Sequence, residues 1–590
     1  MKNKLFLILV FIFSNTQIHS QAIEIPYNLS NGNQTPSYEA TISHYKKLAK
    51  KYDELKIIEF AYTDAAEPLH LVEIKKTTKT KNKVNILINN GIHPGEPEGI
   101  DASIILCQNI LEILNNEKLT KVKYFKNNYE LAALNDLLDH ANLYIIPIYN
   151  VDGSKNRNSF SRANQNGPES YGFRANNKNL DLNRDFIKLD SKNAKAFTDI
   201  FHKANPHLFI DTHTSNGADY QHIVTYIATQ RDKLNATIAD YQYDVFMPEL
   251  NKQLKDKKFD AVPYVNNWTD KPEAGWPAFY ESPRYATGYS TLFNAIGFTL
   301  ETHMLKSYSE RVEGSYVFLL SCLKIANKDY ELITTNKLIA DADVALQDKF
   351  NLNWKLDTSS NQILKFKGYE SNYKKSEIGD YNRLFYDRTK PFEKDVKFYN
   401  KYIPKTSVVK PKAYIIPFAW DQVIDRMVLN KVKFERVKKD TLMTVSVYYI
   451  EDYKTVNKPY EGHYLHSNVK LNKKEIQILV RKGDYIIYAD QFQNRYIVET
   501  LEPEAVDSYF NWNFFDAILG QKEHFSDYVF EDTAAELLKN NKDLNDKFEK
   551  KKTEDAEFAK NKYAQLEYIY KSSEYFEKTF MRYPVYRLEK

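Results

Sequence analysis

His93 and Glu96 stand three residues apart in Asn89–Gly99, NNGIHPGEPEG, a Pro- and Gly-rich turn that follows the apolar run Val84–Ile88. At the end of a strand, such a turn lets an imidazole and a carboxylate face one point. Zinc suits that point, because it takes nitrogen and oxygen ligands in a tetrahedron and, in catalytic sites, keeps one position open for water. Two ligands leave a third to be found. Alone, the pair is also what any polar surface turn offers, so the rest of the chain must decide.

The elements around the turn read clearly. Val84–Ile88 has the apolar character of a buried strand, and Ile100, Ile104, Cys107, Leu111 and Leu114 recur at steps of three and four, which makes one buried helix face. Strand, site, helix is the order of an α/β sheet whose site lies at the carboxyl ends of its strands. Upstream, residues 38–52 have helical spacing and residues 55–74 read as two strands about a polar turn. Downstream, the strand at residues 142–148 runs into Asn150-Val-Asp-Gly153. A polar loop over residues 154–178 follows, and a loop of that length inside a compact domain is functional or disordered. It leads to Asp181-Leu-Asn-Arg184. A strand at residues 208–211 then delivers Thr212-His213-Thr214, and a further one at residues 297–302 carries Glu301 where a buried strand meets solvent. The fold class expected is α/β: a mixed, mainly parallel sheet flanked by helices, with a C-terminal mixed α/β region.

His93, Glu96 and His213 thus make a set of two histidines and one carboxylate. In chain order, His93-Pro-Gly-Glu96, Asn150-Val-Asp-Gly153, Arg174, Asp181-Leu-Asn-Arg184, Asp211-Thr-His213 and Phe298-Thr-Leu-Glu301 resemble the zinc metallocarboxypeptidases of the carboxypeptidase A type, over roughly residues 35–327. That type is itself a standard case of a two-His, one-Glu zinc enzyme. The resemblance implies a carboxypeptidase-like fold and one Zn2+ per chain, held by His93, Glu96 and His213. An amide is a poor electrophile, and zinc strengthens the nucleophile by lowering the pKa of its water to about 7. Glu301, outside the ligand set, is the candidate general base. Arg174 matches the arginine that stabilises the oxyanion, with Arg157 and Arg162 as alternatives in the same loop. Asn183 and Arg184 match the pair that binds the substrate's terminal carboxylate. For the family's mobile tyrosine, Tyr280, Tyr285 and Tyr289 all qualify by position, and Tyr285 is favoured. His303 is read as structural.

These roles favour hydrolysis of C-terminal peptide bonds in a peptide with a free carboxylate. The alternatives are a zinc amidase or peptidase acting on cell-wall peptides, or a deacylase of N-acyl amino acids. A binding module that has lost activity is disfavoured, since ligands and base are all present.

Composition agrees. The 82 basic and 78 acidic side chains nearly cancel, which argues against nucleic acid as a partner. Residues 1–22 read as a signal peptide, with Lys2 and Lys4, an apolar run over residues 5–13, and Ser20-Gln-Ala22, so the chain is expected to be secreted or periplasmic. No stretch is long enough for a membrane span. Cys107 and Cys322 are the only cysteines, both in apolar helical contexts, and are expected in the core. At 590 residues the chain exceeds one core. We expect a catalytic domain over residues 23–335 and a C-terminal region over residues 336–590, in which residues 540–562 read as a solvated helix.

Overall fold

The computed structural model describes Tyr27 and residues 32–115, 125, 127, 129–266 and 271–589. The signal expected at residues 1–22 lies outside them. An eight-stranded sheet forms the centre: β1 (Leu55–Tyr62), β2 (Pro68–Ile74), β3 (Val84–Asn89), β4 (Ala141–Ile146), β5 (Leu208–Ser215), β6 (Val224–Ala228), β7 (Val262–Pro263) and β8 (Ile296–His303). Their spatial order is β1-β2-β4-β3-β5-β8-β6-β7. The four central strands β4, β3, β5 and β8 run parallel, while β2 joins β4 and β6 joins β8 antiparallel.

Helices cover both faces: α1 (Tyr38–Lys51), α2 (Glu98–Leu114), α3 (Lys192–Ala204), α4 (Ala286–Thr291), α5 (Tyr308–Lys328) and α6 (Tyr330–Leu346). The period of two along a strand explains the two cores. Ile86, Ile88 and Ile210 point into one, with Ile104, Cys107 and Leu111 of α2 and Val317, Leu320 and Cys322 of α5. Leu87 and Phe209 point into the other, with Phe197 and Phe201 of α3 and Tyr289 of α4. Both cysteines are buried and free.

The second core does not stop at residue 335. Ile416, Val423, Met427, Tyr496 and Trp512 belong to it as well, and so does Val344 of α6, the helix in which residue 335 falls. The C-terminal region carries a hairpin of Gln362–Lys375 with Asn382–Tyr399 and a six-stranded sheet that includes Ala413–Ile416, Thr441–Thr455, His466–Val480 and Tyr485–Tyr488. Residues 540–562 differ from the expected single solvated helix. Lys542–Glu554, Ala556–Lys560 and Lys562–Lys571 are three short helices that, with Asp527–Asn540, bury Phe530, Leu544, Phe548 and Phe558 in a small core of their own. Asn541, Asp555 and Asn561 cap their N-termini through side-chain oxygens, which breaks the helix three times. Among the described residues no helix is long and apolar enough to cross a membrane.

Candidate metal centre and cleft

The site forms at the carboxyl ends of the parallel strands. β3 ends at Asn89, and the turn carrying His93 and Glu96 links it to α2. Its tightness has a cause in Gly99: a Cβ there would meet Thr212 Oγ1 of β5 at 2.0 Å, so only glycine lets the first turn of α2 lie against that strand. Next to it, β5 and β8 are in register with His213 opposite Glu301. The buried side chain of Arg311 in α5 ties these parts together, donating to Glu98 Oε1 at 2.6 Å, to the Met304 carbonyl at 3.1 Å and to the Gly167 carbonyl in the long loop at 2.7 Å.

His93, Glu96 and His213 are all buried, and their donor atoms lie within 4.8 Å of one another. Nδ1 of each ring approaches Glu96 Oε2, at 3.3 Å for His93 and 3.1 Å for His213. Each Nε2 is held by a carboxylate: Asp181 Oδ1 at 2.9 Å for His93 and Asp211 Oδ2 at 2.8 Å for His213. Such partners orient the rings of metal-binding histidines. Two nitrogens and an oxygen, converging and backed by carboxylates, fit zinc. Glu96 Oε1 is taken by Arg162 at 2.6 Å. Burial opposes ionisation of Glu96, but Arg162 and His93 outweigh it and hold the carboxyl well below its usual range.

The long loop is ordered by backbone hydrogen bonds, Gly172 to the Pro94 carbonyl at 3.1 Å and Phe173 to the Gly153 carbonyl at 2.8 Å. Asn150 Nδ2 also donates to the Arg174 carbonyl at 2.9 Å. The loop brings two arginines to the trio. Arg162 grips Glu96, while Arg174 Nη1 stands 3.3 Å from His93 Nδ1 and its Nε donates to Asp181 Oδ2 at 3.0 Å. Arg157 faces elsewhere, onto the carbonyls of Thr35, Pro36 and Ser170.

A cleft of about 340 Å³ opens over the trio, lined by Arg162, Arg174, Asn183, Arg184, Tyr285, Glu281 and Glu301 among others. Two lining residues keep a buried side-chain oxygen with no hydrogen-bond partner among the described residues: Glu301 Oε2 and Asn183 Oδ1. Burial pushes the Glu301 carboxyl up to about 8, with His213 opposing. Arg184 lies over the Tyr285 ring at 4.4 Å. Of the three tyrosines considered, Tyr285 lines the cleft. The Tyr280 ring instead packs 4.9 Å from that of Tyr402, and Tyr289 is buried with its hydroxyl donating to Asn430 at 2.7 Å. His303 packs against the Tyr220 ring at 4.1 Å, with Nε2 3.3 Å from Asp219.

Sequence reasoning assigned no role to Asp181 or Asp211, although both sit inside the motifs quoted, two residues from Asn183 and His213. It also missed Glu281, whose carboxylate is buried at the cleft and accepts from Thr287 N at 2.9 Å. Tyr460 and Glu461, which reach Arg184 and Asp181 from the C-terminal region, carried no signal at all.

Residues 41–248 match the family model of the zinc carboxypeptidases. Among curated proteins, a carboxypeptidase 2 of Trichophyton rubrum is 20% identical over 456 residues, covering 73% of this chain and 74% of its own length. A carboxypeptidase 2 of Trichophyton equinum is 20% identical over 527 residues, covering 82% and 85%. Among solved structures, a metallo-carboxypeptidase from Burkholderia cenocepacia aligns with a TM-score of 0.36 at 16% identity, over 50% of this chain and 70% of its own. With a two-His, one-Glu donor trio inside that match, residues 41–248 carry a domain of the zinc carboxypeptidase type, and the chain is a metallocarboxypeptidase, a hydrolase of peptide bonds.

Proposed function

We propose that this chain is an exported enzyme that releases single residues from the free C-terminus of peptides, with its machinery in residues 23–335 and a C-terminal region over residues 336–590. The observation that carries the mechanism is Glu301 Oε2, a buried carboxylate oxygen without a hydrogen-bond partner among the described residues, on the strand beside His213. His93, Glu96 and His213 would hold one zinc, which when bound would supply acidification of water and polarisation of the carbonyl. Glu301 takes the proton of the attacking water and returns it to the leaving amine, a role open to a carboxylate placed on the strand beside His213. Arg174, fixed by Asp181, presents a guanidinium beside the trio, where negative charge builds on the carbonyl oxygen. Arg184 and Asn183 receive the terminal carboxylate, and the Tyr285 ring supports Arg184 from one face.

The test incubates the purified protein with a peptide mixture, with and without a zinc chelator, and reads the products by mass spectrometry. Loss of single C-terminal residues, stopped by the chelator and restored by zinc, is expected. In Glu301→Gln, kcat should fall by roughly 100-fold or more while zinc content and folding stay near wild type. Near-native turnover in that variant would assign the base to another group, and cleavage of C-terminal amides as fast as free acids would replace the exopeptidase reading with an amidase or endopeptidase one.

A further inference from the structure

The C-terminal region sets one tight turn against Asp181 and Arg184, beside the cleft. Tyr460 and His463 pair across it, with Tyr460 N to the His463 carbonyl at 2.8 Å and His463 N to the Tyr460 carbonyl at 3.0 Å. Its two central residues, Glu461 and Gly462, have φ of +51° and +83°. Glycine adopts that conformation freely, but Glu461 does so against a Cβ clash, a cost of about 1–3 kcal/mol that persists only where the surroundings compensate. The surroundings are the site. Glu461 Oε2 accepts from Asp181 N at 2.8 Å, and the Tyr460 hydroxyl accepts from Arg184 Nε at 2.9 Å. Asp181 in turn holds both His93 and Arg174. The turn is anchored at its far side by His463 Nε2, 2.7 Å from Asp190 Oδ2.

Arg184 is thereby fixed on every side but one. Its Nε edge is held by Tyr460, Nη1 donates to the Asn183 carbonyl at 2.7 Å, and its face lies on Tyr285. Among the described residues Nη2 makes no hydrogen bond, so the guanidinium offers its Nη corner to the cleft. A guanidinium receives a carboxylate best when its planar fork is already oriented, because the ordering cost is then met before binding. From this geometry we infer that Tyr460 is a positioning residue for terminal-carboxylate recognition, supplied to the catalytic half by the C-terminal region. The inference rests on Arg184 being the carboxylate clamp.

The experiment measures kcat and KM of the full-length zinc enzyme, wild type and Tyr460→Phe, on a matched peptide with a free C-terminal acid and with a C-terminal amide. Tyr460→Phe keeps the ring that packs near Trp512 and removes only the hydroxyl. We expect KM for the acid to rise roughly 3- to 10-fold, kcat to stay within twofold, and the preference for acid over amide to shrink by the same factor. Arg184→Ala should raise KM further, and adding Tyr460→Phe to it should change nothing more, because the hydroxyl acts only through Arg184. Additive losses in the double variant, or a fall in kcat with KM unchanged, would overturn the inference in favour of a purely structural hydroxyl. Should Tyr460→Phe be silent while Arg184→Ala raises KM, the inference alone falls. Should Arg184→Ala leave KM unchanged, the clamp reading falls and takes the inference with it. If Tyr460→Phe melts well below wild type, the same comparison is made at a temperature where it is fully folded, and a KM for the acid equal to wild type there would overturn the inference.

Discussion

Asp211 has two partners, and they explain why a carboxylate occupies that position. Asn89 Nδ2 donates to Oδ1 at 2.9 Å and His213 Nε2 lies 2.8 Å from Oδ2, so one buried side chain fixes the His213 ring and ties β3 to β5 where their register pairs Asn89 with Asp211. A carboxylate behind an imidazole orients the ring and raises its basicity as a ligand. Asp211→Asn keeps the shape and loses the charge, and it should weaken zinc binding roughly 10- to 100-fold. Competition against a chromogenic chelator measures this directly, and an affinity equal to wild type would mean that packing alone orients His213. The opposite case is Arg162, where position in the chain misleads. Three arginines of one loop are equivalent in sequence, and only the fold separates the one that holds Glu96 from the one beside His93 and the one turned to backbone carbonyls.

Between elements, the approach of α2 to β5 sets the metal turn. Gly99→Ala would place a Cβ 2.0 Å from Thr212 Oγ1 and 2.7 Å from Asn90 Oδ1, so helix and strand must part. Overpacking of this kind costs about 1–3 kcal/mol. We expect a lower denaturation midpoint and weaker zinc retention together, and a variant matching wild type in both would show that the helix shifts freely. This part of the fold was legible in the sequence because its signals are local. A strand buried on both faces reads as a continuous apolar run, as at Val84–Ile88, and α2 shows its buried stripe at steps of three and four. His213 and Glu301, which the fold sets opposite each other, each stand at the end of such a run. What stayed illegible depends on distant pairing. The half-exposed hairpin of Gln362–Lys375 with Asn382–Tyr399 has no clean alternation, its strands reading as irregular mixtures of polar and apolar positions. Tyr280, Tyr285 and Tyr289 differ only in what the folded chain sets against each.

Across the whole molecule, the contact between halves carries a titration. Burial opposes charge on both partners, yet Asp190 keeps the His463 imidazole above its ordinary value of 6.5, and His463 with Lys188 holds Asp190 at about 2 against an ordinary 3.8. A raised imidazole contributes its stability in full below 6.5 and loses it as pH rises through the folded value. The lowered carboxylate contributes above 3.8 and loses its share as pH falls through about 2. Wild type should therefore lose more stability than His463→Gln as the buffer is taken from pH 6 to pH 9, a window about the ordinary histidine value. Denaturant melts at both pH values decide it, and equal slopes for the two proteins would remove His463 from the linkage.

The second core has a further consequence, in heredity. Phe293 stacks 5.7 Å from Tyr496 and Tyr289 donates to Asn430, so side chains more than a hundred residues apart complete one packed interior. A recombination joint near residue 346 between two divergent genes of this kind would unite half of one interior with half of another, and each misfit would be felt at the level of a single methylene. Residues on the two sides of that joint are therefore expected to pack best when both come from one gene, and a chimera joined there should melt below either parent.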